Sequence, residues 1–146
     1  DFIKFNDDES LADLGSGAGF PGLVLAIYNK NKRFHVKLYE KSSVKCKFLN
    51  NIVKILDLNV HIYSDSFTKH KIDANYITVR AFKKLDEIMR ISREIINKSH
   101  RLIVLKGENA QSEINNLSHR IQGEYKLVKS LTNEKSKILI ADIKKK

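Results

Sequence analysis

Three features of the sequence predict an α/β fold: a mostly parallel, twisted sheet with helices on both faces and an antiparallel C-terminal hairpin at its edge. Short β-like runs alternate with segments whose apolar residues recur at helical spacing. A glycine-dense turn within LADLGSGAGFPGLVLA, residues 11–26, joins the first such run to the first helix. The last two β-like runs are separated by a few residues around Asn133 and Glu134, too few for a crossover helix.

Taken in order, residues 10–14 read as a strand, 20–29 as a helix and 34–39 as a second strand. From Ser43 the positions Val44, Phe48, Leu49, Ile52, Ile55 and Leu56 follow helical spacing, with Ser42 or Ser43 as N-cap. Residues 60–63 and 76–79 read as the third and fourth strands. Residues 83–97 form a helix with Leu85, Ile88, Met89, Ile95 and Ile96 inward, and 101–105 a fifth strand. A helix near 112–121 precedes the closing runs, 125–131 and 138–143. No repeat, low-complexity tract or linker interrupts the pattern, so residues 1–146 are expected to form one domain, ending in a solvated 144–146 tail.

A chain of 146 residues is long enough to bury roughly 70% of its unfolded surface. No apolar run approaches the roughly 20 residues of a membrane span, and the N-terminal DFIKFNDDES lacks the pattern of a secretion signal, so a cytoplasmic home is expected. Cys46 is the only cysteine, which excludes an intrachain disulfide and a thiolate metal cluster. His35, His61, His70, His100 and His119 show no paired ligand spacing, so no metal is expected. The net charge of +10 suits a nucleic-acid partner, although 21 Lys against 6 Arg also describes a solvated lysine surface. Between residues 30 and 54 there are eight basic residues and one acid, Glu40.

The glycine stretch admits two readings. From Gly17 it is Gly17-Ala18-Gly19-Phe20-Pro21-Gly22, a formal dinucleotide fingerprint with Glu40 at a suitable distance beyond. That register leaves Asp13 in the last positions of the strand, where a carboxylate would repel a pyrophosphate. Beginning instead at Gly15, the pattern Asp13, Gly15, Ser16, Gly17, Gly19 places Asp13 at the strand's carboxyl end, able to orient the loop and face a cation. The ligand is then one with an ammonium group, a ribose diol and no phosphate. S-adenosylmethionine has these features; glycines let the backbone approach it closely, and Glu40 can accept from both ribose hydroxyls. Pro21 suits a helix's first turn, where its missing N–H would be unpaired anyway.

With LYEKSSVKCKFL (residues 38–49), VRAF (79–82) and VLKG (104–107), these residues resemble the RsmG family, also called glucose-inhibited division protein B, the 16S ribosomal RNA guanine-N7 methyltransferases. The resemblance covers nearly the whole chain in order. It implies the class I S-adenosylmethionine-dependent methyltransferase (Rossmann-like) fold and small-subunit ribosomal RNA, naked or in an assembling subunit, as substrate of a monomeric enzyme. It further implies that Gly15, Gly17 and Gly19 line the methionine end of the cofactor, Phe20 sits beside it and Glu40 takes the ribose. Arg80 would lie at the cofactor and substrate mouth, and Lys106 on the same rim toward RNA. Where the family has a small residue and Glu after the third strand, near the adenine, this chain has Phe67 and Thr68, after Asp65 and Ser66. The family also carries an N-terminal helical segment before its glycine motif, whereas this sequence begins about ten residues before it.

Guanine N7 presents an unprotonated lone pair on the major-groove edge. Its methylation needs alignment and exclusion of water rather than a general base, so no catalytic dyad is expected. Pro21 is the sole proline, so the Asn/Asp-Pro-Pro-Tyr/Phe pattern of exocyclic-amine methylation is absent. Cys46, flanked by Lys45 and Lys47 in a helical pattern, reads as a packing residue rather than the nucleophile of cytosine C5 chemistry. Three rival functions stay open at this point: an RNA-binding relative without catalysis, a methyltransferase for another RNA, a protein or a small molecule, and a nicotinamide oxidoreductase.

Overall fold

The computed structural model describes residues 2–80, 83–117, 124–131 and 133–145. Its strands are β1 (Ser10–Leu14), β2 (His35–Tyr39), β3 (Val60–Tyr63), β4 (Tyr76–Arg80), β5 (His100–Lys106), β6 (Tyr125–Lys129) and β7 (Lys137–Ile143). The helices are α1 (Gly22–Tyr28), α2 (Ser43–Ile55), α3 (Leu85–Ile95) and α4 (Ala110–Leu117). One sheet of order β3-β2-β1-β4-β5-β7-β6 joins all the described strands. Neighbours among β1 to β5 are parallel, β7 is antiparallel to β5, and β6 closes the edge antiparallel to β7. The chain builds outward from β1 to β3 and then returns to lay β4 on the other side of β1. That reversal opens a crevice at the carboxyl ends of β1 and β4.

Central β1 is covered on both faces, and its side chains alternate between two cores. Leu11 joins Leu23, Phe34, Leu38 and Leu49 under α1 and α2. Ala12 and Leu14 join Ile77, Val79, Ile88, Leu102 and Leu139 on the face of α3 and α4. Helix α3 buries Leu85, Ile88, Met89, Ser92 and Ile95, a single stripe at helical spacing. Asp86 and Glu87 in its first turn and Arg93 in its last complement the helix dipole. Helix α2 starts where Ser42 Oγ accepts the Lys45 N–H at 3.5 Å, and it buries Cys46 and Leu49.

The sequence reading and the structure agree on β1 and β3 to the residue, and differ mainly at helix ends. Helix α1 begins at Gly22 rather than at residue 20, because residues 15–21 are spent in a turn whose Gly19 carbonyl accepts the Leu23 N–H at 2.9 Å. Lys84 is extended, which delays α3 to Leu85. β5 is longer than expected because each of its seven residues has a partner in β7. A 3₁₀ turn over Phe67–Lys69, not expected from the sequence, is capped by Ser66, whose Oγ accepts the Thr68 N–H at 3.4 Å. The expected end of the helix near 121 lies outside the described residues.

His100 links β5 to α3. Its Nδ1–H donates to the Lys98 carbonyl at 2.9 Å, which leaves Nε2 to accept the Ser92 hydroxyl. Burial lowers its pKa, against the pull of the Lys98 carbonyl and with a further lowering from Lys145. Between the depressed folded value and the ordinary one, the unfolded chain binds more protons, so stability is lost as pH falls. Urea midpoints measured between about pH 7 and 5.5 should therefore fall on acidification, and His100→Gln should reduce that dependence. Equal pH dependence in both proteins would refute the assignment.

Candidate functional site

Residues 15–21 carry the chain from β1 over the end of β2. The Gly15 and Ser16 N–H groups both donate to the Tyr39 carbonyl, at 2.9 and 3.0 Å. One residue further along β2, Glu40 Oε2 accepts the Gly17 N–H at 2.8 Å while Oε1 accepts the Ser42 N–H at 2.8 Å. A single carboxylate, 7% exposed, thus ties the glycine loop to the start of α2. Gly17 has φ +59°, and a Cβ there would stand 3.7 Å from Arg80 Nη2, across the cleft floor. Gly19 serves packing: a Cβ there would fall 2.7 Å from Leu23 Cβ and 3.1 Å from Leu49 Cδ2.

Asp13, expected to face a cation, lies beneath this loop at 1% exposure. Its Oδ1 accepts the Thr78 hydroxyl at 2.7 Å and its Oδ2 accepts the Gly22 N–H at 3.1 Å. The reason is alternation along β1, which turns Leu11 and Asp13 toward α1, where Gly22 passes overhead. A Cβ on Gly22 would be 2.6 Å from Asp13 Cβ, so only glycine fits. Burial raises the Asp13 pKa, opposed by hydrogen bonds from Thr78, Ser16 and Gly22 and by the charge of Arg80. Ser16 is buried beside it and donates to the Asp13 carbonyl at 3.1 Å.

Above the loop is a cleft of about 610 Å³ at the carboxyl ends of β1, β2 and β4. Of the residues expected from the sequence, it brings together Gly15, Gly17, Glu40, Ser66, Phe67, Thr68 and Arg80. Asp13, Ser16 and Gly19 lie below it, and Phe20, 53% exposed, is outside its lining. Arg80 is exposed; Ala81 and Phe82 of the same motif lie outside the described residues. The cleft also takes in Tyr39, Lys41, Lys45, Asp65 and Lys83, which the sequence reading missed as site residues.

An aromatic wall supports one side. The Tyr39 and Tyr63 rings stack at 4.5 Å and 6°, with His70 edge-on to both at 5.2 Å. Asp65 Oδ1 meets His70 Nε2 at 2.6 Å, and Asp65 reaches the cleft. Burial, followed by the Tyr63 neighbour, pushes the Tyr39 phenol well above its ordinary value.

Lys106 does not stand on the rim. It is 9% exposed, and its Nζ donates to the Lys83 carbonyl at 2.7 Å and pairs with Glu113 at 2.8 Å. Glu113 Oε2 also accepts the Leu85 N–H at 2.8 Å. The strand-end position was legible in the sequence. What redirects the ammonium is a carboxylate on α4, which folds back over the end of β5. The pair fixes Lys83 and the start of α3.

The family described as rRNA small subunit methyltransferase G (GidB) matches residues 1–140 of this chain. The chain is 37% identical over 134 residues to the ribosomal RNA small subunit methyltransferase G of Rickettsia felis, covering 92% of this chain and 68% of that one. To the protein of that name from Pelagibacter ubique it is 34% identical over a 150-residue alignment, covering 100% of this chain and 70% of the relative. The chain thus spans about two thirds of the length of these relatives. Among solved structures, an RNA methyltransferase from Salinibacter ruber in complex with S-adenosyl-L-homocysteine shares the fold, with a TM-score of 0.72 at 14% identity. That match covers 97% of this chain and 85% of the other.

Lys106 is almost buried and Glu113 about a quarter exposed, so removing the ammonium leaves a partly solvated carboxylate and an unpaired Lys83 carbonyl. Lys106→Met should lower the unfolding free energy by about 1 to 2 kcal/mol, and adding Glu113→Leu should cost less than the sum of the two single losses. Urea titration of the single and double variants checks it; strictly additive losses would show that the pair is not coupled.

Proposed function

We infer the activity from one premise: this chain belongs to the rRNA small subunit methyltransferase G family. It methylates small-subunit ribosomal RNA with S-adenosylmethionine as donor, and the acceptor is N7 of a guanine. One observation carries the reading: a carboxylate at the end of β2, Glu40, lies at a cleft floored by glycine backbone. No helix among the described residues is long and apolar enough to cross a membrane, and action as a cytoplasmic monomer accompanies this reading.

The residues present fit the donor. A cleft of about 610 Å³ has the size of a small-molecule site and lies at the topological switch point of the sheet. Each Glu40 oxygen accepts one backbone N–H and keeps a further lone pair for a ribose hydroxyl. Gly17 leaves the floor free of a side chain. Phe67 offers a ring face and Ser66 and Thr68 offer polar groups for an adenine. When bound, the donor supplies an electrophilic methyl carbon on a sulfonium.

The chain's own task is to hold a guanine in line with that carbon and to exclude water. N7 carries no proton at neutral pH, so no side chain has to remove one. Arg80, at the cleft mouth with no hydrogen bond or ion pair among the described residues, is placed to engage an anionic group of either reactant. Cys46 takes no part: it is buried, its thiol donates to the Glu40 carbonyl at 3.0 Å, and burial raises its pKa. Lys106 acts as a positioning residue through the Lys83 and Leu85 backbone.

The full-length protein, given labelled S-adenosylmethionine and small subunits lacking native modification, should label one guanine, located by cleavage at N7-methylguanine. Transfer to any other atom or to protein would overturn the assignment. Gly17→Val forces a branched side chain into a positive φ beside Arg80, so S-adenosylhomocysteine affinity measured by calorimetry should fall at least about tenfold. Unchanged affinity would remove the glycine loop from the cofactor site.

A further inference from the structure

The cations of the sequence are partnered unevenly. At the amino-terminal end of the sheet, Arg33 pairs with Asp7 and Asp8, Lys32 with Asp57, and Lys37 donates to the Asp73 carbonyl. Lys41, Lys45, Lys47 and Lys54, carried on α2 and its entry, make no ion pair with any described acid. Helix α2 itself, SVKCKFLNNIVKI, contains no acidic residue. Cations near its first turn, where no acid is present, oppose the helix dipole and cost the helix stability.

The same face is not purely ionic. Phe48, 49% exposed, stands in an exposed apolar stripe with Val44 and Ile55, flanked around the helix by Lys45 on one side and by Lys47 and Lys54 on the other. Lys47 and Lys54, two turns apart, stand on one side of the helix and are separated by about 10 Å along its axis, with Lys45 on the other side of Phe48. Lys41 and Lys45 line the cleft, so the solvent side of α2 that carries Phe48, Lys47 and Lys54 adjoins the site.

We propose that the solvent face of α2 holds the RNA flanking the target guanine, with Lys47 and Lys54 neutralising phosphates and Phe48 stacking on an unpaired base. This rests on the reading of the chain as an RNA methyltransferase. Charge complementarity selects the occupant: an acid-free helix face gains by releasing counterions from a polyanion, and an exposed ring between lysines is the arrangement that binds single strands without reading sequence. Neither Lys47 nor Lys54 lines the cleft, so this face can be altered apart from the cofactor site.

The experiment measures binding of the full-length protein to protein-free 16S RNA and to small subunits across a salt series, with S-adenosylhomocysteine affinity as control. Lys47→Glu with Lys54→Glu should flatten the slope of log affinity against log salt by about 1.4 to 1.8, the share of two phosphates. Phe48→Ala should weaken RNA binding about tenfold with the salt slope unchanged. S-adenosylhomocysteine affinity should be unchanged in both variants. An unaltered slope in the lysine variant, while the unaltered protein still binds and methylates RNA, would overturn the surface and leave the activity standing. Loss of affinity for small subunits but not for protein-free RNA would also overturn it, in favour of a protein contact. A wild-type protein that binds S-adenosylhomocysteine but neither binds nor methylates RNA would sink the activity and the surface together.

Discussion

A carboxylate almost without access to water, Asp13, sets the position of the sheet's functional edge. Burying an acid is expensive unless its lone pairs are used, and the raised pKa registers that expense. Asp13 meets it by binding two elements at once, the Thr78 hydroxyl on β4 and the Gly22 N–H that opens α1. Register makes this possible, because Asp13 and Thr78 are paired across β1 and β4 and so turn to the same face. The start of α1 is thereby fixed over two strands, and the loop between β1 and α1 has both ends anchored. Glycine at position 22 is a consequence of this contact, since any side chain would collide with the acid or with Leu38.

The second anchor belongs to β2. Two N–H groups of the loop converge on the Tyr39 carbonyl and a third on Glu40, so the backbone of residues 15–17 is held by a strand that does not carry it. Glu40 therefore has two roles. It satisfies backbone donors that would otherwise be orphaned near the buried edge, and it keeps lone pairs for a ligand. A loop fixed in this way needs little ordering when a small molecule arrives, which is the physical content of preorganisation.

How far the sequence discloses this depends on whether a feature is local. Strand β1 was legible because Leu11, Ala12 and Leu14 form a short apolar run ending at a glycine turn, and α3 because its stripe repeats at helical spacing. The cleft residues were legible where a motif surrounded them, as at Gly17 and Glu40. What stayed hidden was partnership. Asp13 at a strand end looks like a ligand for a cation until α1 is seen to pass above it, and Lys106 looks like a rim cation until Glu113 is seen to fold back onto it. Lys41 and Lys45 escaped notice as site residues for the converse reason: nothing in a lysine-rich sequence distinguishes a cation that keeps an acidic partner from one that lacks it.

The distribution of charge around the cleft bears on the reaction proposed for it. Methyl transfer to a guanine N7 neither creates nor destroys charge; it moves a positive charge from sulfur to the purine ring. A site for such a step needs no strong counter-charge at the reacting atoms, and a carboxylate held against both reactants would bind ground and transition states alike without gain in rate. The observed arrangement fits that requirement. The Glu40 carboxylate is occupied by backbone N–H groups and Asp65 meets His70, while Lys41, Lys45 and Arg80 line the cleft from other elements. Those cations would disfavour a cationic donor taken alone, and they become favourable once phosphates of an RNA strand share the site. Under the proposed reaction, charge at this edge suits the acceptor's backbone, and the chemistry itself is left to alignment.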